Sequence, residues 1–169
     1  MIGILSDTHD NVENILKAIK IFENVNVDFI IHCGDVVAPA TLRFFKGIHT
    51  KVVKGNCDGD IEHFKIVLEE ISGEYLGEIG ELEISGKKIL VYHGDDQNKL
   101  QGFIDKGEYD YIFTGHTHKG RDEKIGRTRV VNPGAHYYGA ENTVVLFDLN
   151  RDKIRFINVK EAGIYADSG

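Results

Sequence analysis

The chain has 169 residues, 41% hydrophobic and 28% charged, which is the balance of an ordinary water-soluble domain large enough to bury a core. A net charge of −7 argues against broad nucleic-acid binding, because displacing counterions from a polyanion needs a basic face. No window approaches eighteen uncharged apolar residues, so no membrane span is expected. The opening Met1-Ile2-Gly3-Ile4-Leu5 is too short for a secretory signal and gives way at once to Asp7, so a cytoplasmic location is expected. In that setting the two cysteines, Cys33 and Cys57, are expected as free thiols.

No repeat, low-complexity stretch or Pro/Ser-rich linker interrupts the chain, which reads as one domain over residues 1–169. Residues 2–5 form a first apolar strand. Asp10 is placed to cap a helix running to about Asn24, with Glu13 as capping-box partner and Val12, Ile15, Leu16, Ile19 and Phe22 as its apolar face. Residues 27–31 read as a buried strand, 39–46 as a helix begun by proline, and 51–54 as a third strand. This βαβαβ order implies a parallel sheet covered by helices. In the second half, 81–84 and 88–92 flank a Ser85-Gly86 hairpin signal, 100–106 suits a helix, and 110–113 suits another buried strand. Two further hairpins are expected within 124–131 and 143–159, the last turning at Asn150-Arg151-Asp152. The expected architecture is α/β, two mixed sheets packed face to face with helices outside.

The polar segments at the ends of the apolar runs carry the chemistry. The first run leads into Asp7-Thr8-His9, the second into Gly34-Asp35 and the third into Gly55-Asn56, while the later ones lead into His93-Gly94 and Gly115-His116-Thr117-His118. In α/β sheets ligands gather at the carboxyl ends of strands, so five such loops can converge on one crevice. Carboxylate and imidazole donors suit Mn, Fe, Co, Ni or Zn. Seven donors, Asp7, His9, Asp35, Asn56, His93, His116 and His118, are too many for one tetrahedral ion but natural for two ions sharing a carboxylate, with Asp35 the best candidate for the bridge. Taken singly, Asp-x-His is ordinarily a cap or turn, Gly-Asp and Gly-Asn ordinary turn chemistry, and His93 a satisfied strand-end histidine. Only the ordered set is specific. His32, before the cluster, suits a structural role, and His49, His63 and His136 suit surface or loop roles. Arg121, Arg127 and Arg129 can reach phosphate in principle, but on a hairpin they are more simply solvated.

The order Asp7-x-His9, Gly34-Asp35, Gly55-Asn56-Cys57-Asp58, His93-Gly94, Gly115-His116-x-His118 resembles the calcineurin-like metallophosphoesterases, and Asn132-Pro133-Gly134 resembles a later loop of their small members. The resemblance implies a four-layer αββα sandwich and two divalent transition-metal ions per chain, with manganese and nickel among the candidates. Asp7, His9 and His118 would hold the first ion, Asn56, His93 and His116 the second, and Asp35 both. Asp35, Asn56 and His93 are the expected catalytic residues. Two divalent ions outweigh the charges of Asp7 and Asp35, so the pocket is expected to be positive within an acidic chain. A water bridging ions held roughly 3.5–4 Å apart would lose a proton near neutral pH and attack phosphorus in line.

Three departures narrow the expected substrate. Where many relatives carry a histidine that protonates the leaving group, this chain has Cys57, which together with Asn56 is the candidate substrate contact and is expected to stand beside the phosphate without touching metal. The phosphate-gripping arginine of protein phosphatases is missing from Val36-Val37-Ala38-Pro39, and Asp10 stands where glycine is common. The likeness is greatest to the short stand-alone phosphodiesterases of archaea and bacteria, which implies hydrolysis of small phosphodiesters. A scaffold like the retromer subunit of this fold is the alternative, although the intact donor set speaks against it. A nuclease is a second alternative, and the acidic surface speaks against that. A homo-oligomer is compatible with the sequence.

Overall fold

The computed structural model describes residues 1–136 and 141–161; the single-domain expectation over 1–169 reaches beyond them. Strand β1 (Ile2–Leu5) shows how the layers are built, because successive side chains on a strand point to opposite faces. Ile2 and Ile4 enter a core shared by two sheets, whereas Leu5 enters a second core beneath helices. Helix α1 (Val12–Asn24) covers that side. Its cap is Asn11, whose side chain accepts from the Asn14 amide at 3.1 Å, and not Asp10. Asp10 has φ +57, outside the extended region an N-cap needs, and its carboxylate accepts from the Ala38 amide and the Thr41 hydroxyl. The buried face runs through Ile15, Ala18, Ile19, Ile21 and Phe22. Small Ala18 at its centre turns the stripe away from Leu16, which is 49% exposed instead of buried as expected.

Strand β2 (Phe29–His32) is followed by a helix over Pro39–Phe45, which winds as a 3-10 helix, the form short connectors often take. Then come β3 (Thr50–Val52), α2 (Ile61–Glu70) and β4 (Glu74–Tyr75). Helix α2 was not expected. Asp60 caps it by accepting from the His63 amide, and Phe64, Val67 and Leu68 are its apolar face, a stripe diluted by the surrounding Glu and Lys. The second half supplies β5 (Ile79–Ile84), β6 (Lys87–Tyr92), α3 (Gln97–Lys106), β7 (Tyr111–Phe113), β8 (Arg121–Ile125), β9 (Thr128–Asn132), β10 (Thr143–Asp148) and β11 (Lys153–Asn158).

The strands form two mixed sheets, in the orders β11-β10-β1-β2-β3-β4 and β5-β6-β7-β9-β8. β1 to β4 run parallel in the first and β6, β7 and β9 parallel in the second, with antiparallel strands at the other edges. Between the sheets lie Ile2, Ile4, Ile31, Val53, Ile89, Val91, Phe113 and Phe147. On the outer face of the first sheet α1, α2 and the 3-10 helix bury Phe22, Phe45 and Phe64. On the outer face of the second, Leu100 and Ile104 of α3 pack on Leu90, Ile112 and Val130. The result is the four-layer αββα sandwich expected from the sequence. Among the described residues, the buried Asp7, Asp35, Asp58 and His93 follow the ends of parallel strands of both sheets.

Candidate metal centre

Strands β1, β2, β3, β6 and β7 each run into one of the five loops, and the loops are stitched to one another by main-chain hydrogen bonds. Asp7 N–H donates to the Gly34 carbonyl (3.0 Å), His9 N–H to Asp35 (3.1 Å) and Gly115 N–H to His93 (2.8 Å). The His116 amide donates to Asp7 Oδ2 at 3.0 Å, which ties the last loop to the first across the two sheets. Five of the seven expected ligands have left-handed backbones: Asp7 (φ +52), His9 (+41), Asp35 (+58), His116 (+65) and His118 (+58). Such conformations are uncommon in non-glycine residues and concentrate where a structure needs side chains aimed against local preference.

The aimed side chains converge. Asp7 Oδ1 lies 3.2 Å from His118 Nε2 and 3.9 Å from His9 Nε2. Asp35 Oδ2 lies 3.5 Å from His9 Nε2 and 3.4 Å from His93 Nε2, so one oxygen faces histidines from both halves of the chain. Asn56 Oδ1 lies 3.1 Å from His93 Nε2 and 3.0 Å from His116 Nδ1. The Cys33 carbonyl, 2.8 Å away, takes the Nδ1 hydrogen of His93 and leaves Nε2 toward Asp35. All seven residues singled out in the sequence are thus gathered in one place.

The electrostatics separate the two carboxylates. Burial would raise the pKa of Asp35, but His93 and the Cys57 amide outweigh it and hold the group well below the usual carboxylate range. Asp7 is raised because burial dominates there over Ser6, His93 and His118. His93 is raised in turn, since Asp35 overcomes the cost of its burial. Burial, followed by Asp35, pushes the Cys57 thiol up to about 11.

Asp7 Oδ1 is buried with no hydrogen-bond partner among the described residues. An anionic oxygen withdrawn from water without a donor is costly unless a cation meets it. Three sets of donor atoms lie mutually within 4.8 Å: Asp7/His9/His118, Asp7/Asp35/His93 and His9/Asp35/Cys57. Carboxylates and imidazoles in overlapping sets suit borderline divalent transition metals, so the residues fit such ions.

Several further residues support the centre, among them two, Asp58 and Asn132, given no individual role from sequence. Asp58, quoted only as the end of Gly-Asn-Cys-Asp, is buried and accepts three amides: Asp35 (3.0 Å) and Gly55 (2.8 Å) at Oδ2 and Val37 (2.8 Å) at Oδ1. His32 is structural, as expected. Gly34 N–H donates to its Nδ1, leaving Nε2–H for the hydroxyl of Thr8, which sits between Asp7 and His9. Asn132 donates to the Gly115 carbonyl and the Thr117 hydroxyl and so props the His116–His118 loop. Two glycines admit close approaches. A Cβ on Gly55 would collide with Asp35, and one on Gly115 with Ser6 Oγ and Asp7 Oδ2.

His49 and His63 lie on the surface, but His136 is fully buried. Its Nε2–H donates to the Thr143 carbonyl and its own amide to the Asp7 carbonyl, so it backs the first loop. The hairpin arginines are absorbed by carboxylates: Arg121 by Glu123, Arg127 by Asp110, Arg129 by Asp122 and Asp152. Lys54 and Lys99 line a cleft of about 170 Å³ beside Gly55, together with Glu78, Asp95 and Asp96. Both cysteines are free, Cys33 buried and Cys57 exposed.

A two-sheet sandwich with these loops at the strand ends defines a calcineurin-like phosphoesterase fold. The chain belongs to that superfamily: residues 1–152 match its domain model. It is 35% identical to a phosphodiesterase of Methanocaldococcus jannaschii over 161 residues, covering 92% of this chain and 97% of that protein. A probable metallophosphoesterase of Bacillus subtilis is 31% identical over 138 residues, 78% of this chain and 72% of the relative. The solved structure of an archaeal phosphodiesterase superposes with TM-score 0.87 at 34% identity, covering 92% of this chain and 98% of the other. No described helix is long and apolar enough to cross a membrane.

Proposed function

We propose that the chain, acting as one domain over residues 1–169, hydrolyses phosphodiester bonds of small substrates at a centre of two divalent metal ions. The observation that carries this reading is the buried Asp7 Oδ1, which has no hydrogen bond among the described residues and faces imidazole nitrogens of His118, His9 and His93, within a convergence of seven metal-type donors at five strand ends. In this reading Asp7, His9 and His118 hold one ion, Asn56, His93 and His116 the other, and Asp35 is shared. The support for sharing is the position of Asp35 Oδ2 between His9 and His93. When bound, the ions would supply Lewis acidity at phosphorus and a water acidified toward neutrality.

The chain's own residues supply orientation. Asp35, already ionised, offers its charge without first losing a proton. His93 is turned by the Cys33 carbonyl so that Nε2 faces the reacting space. Asn56 is neutral and adds a carbonyl oxygen without cancelling positive charge needed for an anionic ester. With the hairpin arginines held by carboxylates, phosphate recognition rests on the ions and on Asn56.

A small substrate, a cytoplasmic location and an ion drawn from Mn, Ni, Co, Fe or Zn complete this reading. Metal-stripped protein reloaded with one ion at a time, then assayed on mono-, di- and cyclic phosphoesters, tests it. Turnover of diesters restored by transition-metal ions is expected. A chain that binds two ions yet hydrolyses no ester would instead support a scaffold.

A further inference from the structure

From the sequence Cys57 is expected to contact substrate without touching metal, but its surroundings point to a different role. Its sulfur accepts a hydrogen bond from Asn56 Nδ2 at 3.4 Å. Its amide donates to Asp35 Oδ1 at 2.8 Å, which fixes the residue beside that carboxylate.

The sulfur, the His9 imidazole and the Asp35 carboxylate present three donor atoms within 4.8 Å of one another. Donors bound at about 2.0–2.3 Å to a common ion necessarily lie closer together than that, and small rotations of an exposed side chain close the difference. A second observation points to a cation in the same cluster. Asp7 Oδ1 is buried with no hydrogen bond among the described residues and lies 3.2 Å from His118 Nε2 and 3.9 Å from His9 Nε2.

We propose that Cys57 is a further metal ligand, its sulfur joining His9 and Asp35 on one ion and giving the centre a soft donor. This deepens the dinuclear reading and rests on it. Formation of the sulfur–metal bond releases the thiol proton to solvent. Thiolate favours zinc or cobalt over magnesium or manganese, so the position that carries a proton-donating histidine in many relatives would here select the ion.

Cobalt(II) reports the ligand directly, because a thiolate on cobalt adds a near-ultraviolet sulfur-to-metal charge-transfer band. The full chain is stripped, loaded with cobalt and examined by elemental analysis and absorption, beside Cys57→Ser. The expected result is the band in the native chain and its loss in Cys57→Ser, with the cobalt content of both unchanged and circular dichroism confirming a folded variant. Two cobalt ions in the native chain without the band would overturn the ligand assignment while leaving the dinuclear reading standing. A band persisting in Cys57→Ser would also overturn it by assigning the sulfur to Cys33. Failure of the folded chain to bind cobalt at all would bring down both.

Discussion

The carboxylate of Asp58 accepts the main-chain amide of Asp35 at 3.0 Å, and the same oxygen accepts Gly55 at 2.8 Å. With its other oxygen on the amide of Val37, one buried side chain fastens the loop after β2 to the loop after β3. It also restrains Val37 at φ +86, a conformation a β-branched residue resists.

Removing that fastener should damage the centre before the fold. Asp58→Ala strands three amides, and an unsatisfied buried donor costs about 1–3 kcal/mol. Asp58→Asn can keep the oxygen that serves Asp35 and Gly55 but turns an NH₂ toward Val37. Thermal melts should rank native above Asn above Ala, with metal affinity following the same order. Equal metal affinity in all three would deny Asp58 any positioning role.

Asp35→Ala should deplete both ions and abolish turnover, whereas Asp7→Ala should mainly deplete one. The basis is Asp35 Oδ2, which faces His9 and His93 at once. Elemental analysis per chain decides the matter. Two ions retained in Asp35→Ala would remove the shared carboxylate from the reading.

Chelation should stop turnover without unfolding the chain. The three apolar clusters lie between and outside the sheets and contain none of the seven proposed ligands. Bound ions should still raise the melting temperature, since only the folded state assembles the site. Collapse of the circular dichroism spectrum on metal removal would show that the ions hold the fold together.

Acid should destabilise the metal-free chain through His136. Burial depresses its pKa from 6.5 to about 4. Between those values the unfolded chain binds the proton and the folded chain does not, so stability falls as pH drops through that window and the loss is complete below about 4. The slope is at most about 1.4 kcal/mol per pH unit for one histidine. His32, depressed to about 3 by burial, extends the loss further downward. Melts of native and His136→Gln protein from pH 7 to 4 should show a shallower decline in the variant. Parallel curves would place the acid sensitivity elsewhere.

Much of this molecule is legible along the chain because its signals are local. Runs such as Ile2–Leu5 and Tyr111–Phe113 announce strands by composition, and each is succeeded within a few residues by a metal-type donor, so the seven side chains can be named without coordinates. Where local signals compete, the reading slips. Asp10 has the right chemistry to cap α1, yet the contacts with Ala38 and Thr41 that claim it lie 28 and 31 residues away. Helix α2 escaped because its apolar stripe is sparse and gains meaning only against the first sheet.

Tertiary structure alone decides aim. Asp and His tolerate left-handed backbones better than most residues but seldom adopt them unaided; at Asp7, His9, Asp35, His116 and His118 loop-to-loop hydrogen bonds such as His9 to Asp35 and His116 to Asp7 accompany that geometry. The burial of Asp58 and His136, and the pairing of Arg127 with Asp110 and of Arg129 with Asp152, likewise require the assembled fold. Residue type sets which chemistry is possible, while burial and direction, which depend on partners remote in sequence, set which groups can act together.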